Sequence, residues 1–286
     1  VPAMSFDGLR VVAFESRMAT EMARLIERHG GRPMLAPAMR EVPLTDNHEA
    51  LAFGARLLAQ EFDLIIFLTG VGTRALFDVL ATRYPIEQII GALKRATLVV
   101  RGPKPAAALK AMGLTGMLTV PEPNTWRDVL ASLDAAHGTT LTGRRIAVQD
   151  YGVPNDELLA GLRQRGATVT HVPIYRWALP EDLGPLRAAI ETLRRGEGDV
   201  MLITNAVQIE HVVQVAAQNG AGAVTDLTRA LRRTVIGSIG PTASERLRRH
   251  SLPPDFEPSH PKMGLLVKEL SERVHPLLAQ KRASAS

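Results

Sequence analysis

The 286-residue chain has no cysteine, which removes disulfides, thiolate nucleophiles and Cys-based zinc or iron–sulfur centres together. Aromatic residues make up only 4% of it, too few for the stacking platforms that hold nucleic-acid bases. No apolar run approaches the roughly 18 residues that span a bilayer; the greasiest stretch, Leu64 to Leu68, is bounded by Asp63 and by Thr69-Gly70. The eight histidines are scattered, and none pair at the i, i+3 or i, i+4 spacing that sets two imidazoles on one helix face. A Walker-type phosphate loop, a dinucleotide-binding glycine turn after a strand and a nucleophile elbow are all missing. The opening VPAMSFDG has neither a charged leader nor a long apolar stretch. A cytoplasmic protein is expected, without metal, membrane or direct nucleic-acid partner.

What is present is a globular composition, 45% apolar, with a formal charge of +5 that favours anionic partners in general. Basic pairs such as Arg144-Arg145 and Arg248-Arg249 stand at strand starts or helix ends, where a solvated face accounts for them. The organisation comes from a repeat. Gly8 opens a strand-like run that leads through a helical stretch to Gly30, and Gly143 opens a second that leads to Gly166. In register, Gly30 faces Gly166, Pro37 faces Pro173, Arg40 faces Arg176 and Asp63 faces Asp199, each at a spacing of 136 residues. Gly102-Pro103 faces Gly240-Pro241 at 138. Apolar runs of four to seven residues alternate with helical patterns of ten or more, which indicates parallel sheets covered on both faces. The fold class is therefore α/β, with two similar doubly wound parallel-sheet domains. Ligands of such sheets sit beyond the carboxyl ends of the strands.

Four kinds of loop recur there. The run FLTGVGTRALF turns through Thr69, Gly70, Val71 and Gly72 into a helix expected to begin near Thr73. Its glycines either make the turn alone or let main-chain N–H groups approach an anion. Thr204 and Asn205 hold the matching place in LITNAVQIE and are good N-caps. In GPKPAAAL and GPTASERL, Gly102 and Gly240 end a strand, proline opens a helix, and Lys104, Thr242 and Ser244 lie at its start. In VPEPNTWRDVL, Asn124 or Thr125 caps a helix and Trp126 either packs on the core or stacks on a ligand. Its counterpart EPSHPKMG carries Lys262. At the ends of the first strands, Tyr151, Gly152 and Asn155 match AFESRM, whose Arg17 is the cation best suited to a carboxylate.

The motifs FLTGVGTRAL, RGPKPAAAL, PEPNTW, YGVPN, VPIYRWALP, SIGPTASERL and EPSHPKMG, in this order, resemble the uroporphyrinogen-III synthase family over about residues 8–275. The resemblance implies two α/β domains of flavodoxin-like topology with a cleft between them, residues 1–38 with 180–275 and residues 41–172, joined by a two-stranded linker at 39–40 and 173–179. Residues 276–286, ending in the short polar QKRASAS, are expected to form a disordered tail. It also implies a monomer that needs no cofactor and cyclises the polycarboxylate hydroxymethylbilane to uroporphyrinogen III, with loss of water and inversion of ring D. The family's functional tyrosine falls on Tyr175, whose repeat-mate is Met39. The more widespread form of the family has a threonine three residues after each conserved glycine, where this chain has Pro105 and Ala243. That departure leaves open a second reading, a non-catalytic two-lobed ligand-binding or sensor module on the same fold.

Overall fold

The structure, a computed structural model, describes residues 5–43, 47–150, 152 and 154–284, with positions 43, 175 and 176 as backbone alone. It divides into two compact units: the first holds the described residues up to Arg40 and from Ala178 onward, the second runs from Glu41 to Trp177.

In chain order, β1 (Arg10–Ala13), α1 (Ala19–Arg28) and β2 (Arg32–Leu35) open the first unit. After β3 (Arg40–Pro43) come α2 (His48–Leu58), β4 (Leu64–Phe67), α3 (Gly70–Ala81), α4 (Ile86–Leu93), β5 (Thr97–Val100) and α5 (Pro103–Ala111). Then follow β6 (Leu118–Thr119), α6 (Trp126–His137), β7 (Arg145–Asp150), α7 (Asp156–Gln164) and β8 (Thr168–Pro173). The strand β9 (Tyr175–Ala178) pairs with β3 as a separate two-stranded sheet. The first unit is completed by α8 (Gly184–Arg194), β10 (Val200–Ile203), α9 (Ala206–Ala217), α10 (Ala223–Ala230) and a 3-10 turn (Leu231–Arg233). Its last elements are β11 (Val235–Ser238), α11 (Pro241–Arg249), α12 (Met263–Ser271) and α13 (Val274–Ser284). Among the described residues no helix is long and apolar enough to cross a membrane.

Both main sheets are wholly parallel. The sheet of the first unit has the order β11-β10-β1-β2, and that of the second β6-β5-β4-β7-β8. Matched through the repeat, β7 and β8 correspond to β1 and β2, and β4 and β5 to β10 and β11, so the two orders are the same. Phe256, bridged to Gly237, stands where β6 stands in the other unit. In each sheet the order reverses between the first and third strands of the repeat, β1 and β10 or β7 and β4, and a doubly wound sheet opens its ligand crevice at that point.

The central strands are buried from end to end, as in LIIF of β4 and VMLI of β10, because helices cover both faces. Ile65 and Phe67 face one core with Leu76 and Leu109, while Leu64 and Ile66 face another with Val148 and Leu162. Val12 and Met201 face a third core, Val11 and Leu202 a fourth. Strand-start carboxylates repeat as well: Asp63 accepts from the Arg145 N–H at 2.7 Å and Asp199 from the Arg10 N–H at 2.8 Å.

The end of the chain departs from expectation. Residues up to Ser284 continue α13 instead of forming a tail. Val274 and Leu278 are buried one helical turn apart, and Leu277 packs beside them on the core. Lys281 and Arg282 then bond Asp255 and Asp199 at 2.7 and 2.6 Å.

Candidate functional site

The loops at the carboxyl ends of the strands form one rim on each unit. In the second unit Thr69 caps α3, its Oγ1 accepting from the Gly72 N–H at 3.1 Å. The helix therefore starts at Gly70, three residues before the expected Thr73, and both glycines lie in its first turn. A Cβ on Gly70 would stand 2.6 Å from the carbonyl oxygen of Lys104. This glycine thus makes room for α5, not for a ligand. The N–H groups of Gly70 and Val71 have no acceptor among the described residues and keep the partial positive charge of a helix start.

Gly102 is the N-cap of α5, and Lys104 lies exposed in its first turn. Pro103 and Pro105 carry no N–H, which leaves Lys104 as the main-chain donor at that start. Asn124 caps nothing. With φ of +59° it folds back, and its amide nitrogen, in the orientation that satisfies it, donates to the carbonyls of Arg101, Val120 and Pro121. Thr125 is the cap of α6, in a capping box with Asp128. Trp126 packs on the core, its Nε1 buried without a partner among the described residues, and Arg127 lies 4.3 Å over the ring. Asn155 caps α7 through Leu158 N–H at 3.1 Å, and its own N–H donates to Asp150 at 2.9 Å. Gly152 has φ of +100°, and a side chain there would overlap the Trp177 indole. Tyr151 lies outside the described residues, and Tyr175 is described by its backbone alone, in β9.

In the first unit, Thr204 and Asn205 are taken up by capping. Thr204 donates to Glu15 at 2.5 Å and accepts from the Gln208 amide at 2.8 Å. Asn205 accepts from the Val207 N–H at 2.8 Å. Gln208, fully buried, accepts from the Thr204 N–H at 2.8 Å. Thr242 is exposed at the start of α11, whereas Ser244 is completely buried with its Oγ unpartnered among the described residues, so solvent does not reach its hydroxyl. Arg17 is exposed after β1, and Lys262 is the exposed N-cap residue of α12. The structure therefore brings Thr69, Gly70, Val71, Gly72, Gly102 and Lys104 onto adjoining strand ends of one unit. Arg17, Thr204 and Asn205 share the β1–β10 end of the other.

Sequence reasoning passed over Glu15, Asp150, Arg101 and Gln208. Glu15 and Asp150 are repeat-mates, since the register places Val11 beside Val200 and Ile146 beside Leu64. Carrying the match of Gly8 with Gly143 forward along both strands would have paired them. Arg101 follows β5 and has its pKa pulled below the ordinary arginine value by burial, partly opposed by the field of Asp150.

Two matching parallel sheets, each with a side-chain-capped helix start after the third strand of its repeat, define a tandem flavodoxin-like α/β protein. Comparison with known proteins narrows this. Residues 20–268 match the HEM4 family, uroporphyrinogen-III synthase HemD, and the chain belongs to that family. A mutant uroporphyrinogen III synthase from the extremely thermophilic bacterium Thermus thermophilus has a similar structure, with a TM-score of 0.71 at 26% identity, covering 96% of this chain and 100% of the other. The wild-type Thermus enzyme in another crystal form gives 0.57 at 28% identity, with the same coverage. Uncharacterized protein YjjA of Bacillus subtilis is 28% identical over 267 residues, 93% of this chain and 96% of its own length.

Proposed function

We propose that the protein is a uroporphyrinogen-III synthase, which cyclises hydroxymethylbilane to uroporphyrinogen III. The observation that carries this reading is the family match, which runs through both units. The site chemistry supports it. Hydroxymethylbilane carries eight carboxylates on four pyrroles, and helix starts with unused N–H groups suit such a polyanion.

The terminal hydroxyl leaves as water to give an azafulvene cation, with the pyrrole nitrogens supplying the electrons. The substituted carbon of ring D then attacks to form a spiro intermediate; the bond that tied this carbon to the ring C methylene breaks, the freed methylene closes on the unsubstituted carbon of ring D, and loss of that carbon's proton completes the inverted ring. The protein's part is to hold the chain curled and to protonate the leaving hydroxyl. Tyr175 is the proposed donor; a tyrosine with an ordinary pKa near 10 keeps its proton at neutral pH. On this reading the enzyme acts as a cytoplasmic monomer.

The test is chromatographic separation of isomers I and III after incubation of hydroxymethylbilane with the purified protein. Type III is the expected product. Type I alone, formed at the uncatalysed rate, refutes the activity and leaves a ligand-binding module on the same fold.

A further inference from the structure

Arg101 has a surrounding that no structural role explains. Its N–H donates to the Phe67 carbonyl at 3.0 Å, which keeps it in line with the sheet just past the end of β5. Side chains alternate along a strand, so Arg101, two residues beyond Val99, is directed to the face that Val99 shares with Val148. Asp150, two residues beyond Val148 on β7, is directed the same way. Burial weakens the hold of the guanidinium on its proton, and the negative charge of Asp150 opposes that effect. An arginine nevertheless stays charged in a protein. The residue is sunk among its neighbours without being sealed from solvent, so a ligand can reach it.

The two are not joined as a fork-to-carboxylate pair. The Oδ2 of Asp150 accepts from the Asn155 N–H at 2.9 Å and stands 3.7 Å from His171 Nε2. The Arg101 guanidinium donates no hydrogen bond to any described residue. A partly desolvated cation whose donors find no acceptor among the described residues loses hydration without gaining a partner, and folds do not keep one to hold themselves together. It stands at the carboxyl edge of the sheet, one strand from the reversal point, where ligands of doubly wound sheets bind.

We propose that Arg101 is the carboxylate anchor of the second unit, taking one carboxylate of the linear tetrapyrrole in a two-pronged hydrogen bond. This rests on the proposed function and adds a specificity residue to it. Asp150 keeps the guanidinium oriented while the site is empty, and the ligand carboxylate supplies the acceptors that no described residue offers.

The test uses Arg101→Gln and Arg101→Lys in the full chain, with KM and kcat for hydroxymethylbilane and the thermal upshift given by uroporphyrin III, the oxidised octacarboxylate macrocycle. Arg101→Gln is expected to raise KM about 10- to 100-fold, the loss of a charge-assisted bidentate contact, with a much smaller change in kcat, and to diminish the upshift. Arg101→Lys keeps the charge without the planar fork and should fall between Gln and wild type. Unchanged KM and upshift in Arg101→Gln overturn the proposal; if that variant does not fold, wild-type values in Arg101→Lys do so. Wild-type protein that makes no type III isomer but binds the macrocycle through Arg101 refutes the activity and keeps the anchor. Type III formation that is indifferent to position 101 refutes the anchor alone.

Discussion

Gly70→Ala puts one methyl group where the structure has no room. The new Cβ would lie 2.6 Å from the Lys104 carbonyl oxygen and 2.8 Å from its carbon. Carbon–oxygen contacts settle at about 3.3 Å, so the start of α3 must move from α5 by about 0.7 Å. The obstacle is backbone and cannot swing aside as a side-chain tip would. Overpacking of this kind costs about 1–3 kcal/mol, and the smaller entropy of the unfolded alanine chain returns about 0.4–1 kcal/mol. The net loss is about 1–2 kcal/mol, which for a unit of this size lowers Tm by about 2–8 °C. Gly91→Ala is the matched control: it lies within α4 of the same unit with nothing within 4 Å of its new methyl group. Here only the favourable terms remain, and Tm should rise by about 1–4 °C. Thermal melts of the two variants and wild type decide the matter. A Gly70→Ala protein as stable as wild type, or a fall of equal size in both variants, refutes the argument that Gly70 exists for the contact between α3 and α5.

Three further outcomes are expected. Tyr175→Phe lowers kcat by about 100-fold or more while KM changes little, as removal of a general acid should; steady-state kinetics with unchanged kcat would reduce the tyrosine to part of the β9 strand. Asp134→Asn destabilises by about 1 kcal/mol at pH 7, because it breaks the two 2.7 Å bonds from Arg165 that tie α6 to the end of α7. Those bonds hold the Asp134 carboxyl below its ordinary pKa of about 3.9. The wild-type advantage is therefore complete above that pH and disappears as pH falls through the lowered value, which urea melts at pH 7 and in acid would show. Gly152→Ala drives a methyl group into the Trp177 indole, so the tryptophan emission, which comes from only two residues, should shift; an unchanged spectrum would contradict the contact.

The fold was readable because glycines and prolines mark strand ends at a constant spacing, and a fixed offset between Gly30 and Gly166 or Asp63 and Asp199 survives side-chain drift. Less of the site was readable. A glycine in TGVG looks the same whether it admits a ligand or another helix, and the neighbour that distinguishes the two, Lys104, is far along the chain. Thr204 is a donor on paper, yet its hydroxyl is given to Glu15, and that pairing exists only once β1 lies beside β10. Arg101 and Asp150 belong to strands separated by β4, so the sheet order alone makes them neighbours. The helix at 274–284 was missed because its polar end hides the apolar pair Val274 and Leu278.

The position of β1 has a consequence for how the protein is made. This strand lies in the middle of its sheet, yet its β10 neighbour, whose approach is marked by Asp199, is translated 189 residues later. At ordinary ribosomal speeds that is a wait of about 10–40 s. Meanwhile the stretch from Glu41 to Trp177, which has every strand of its own main sheet, is free to finish folding. The apolar β1 segment, made long before β10, is thus among the last of its unit to be covered, and it is a part of the nascent chain that a holdase chaperone would meet.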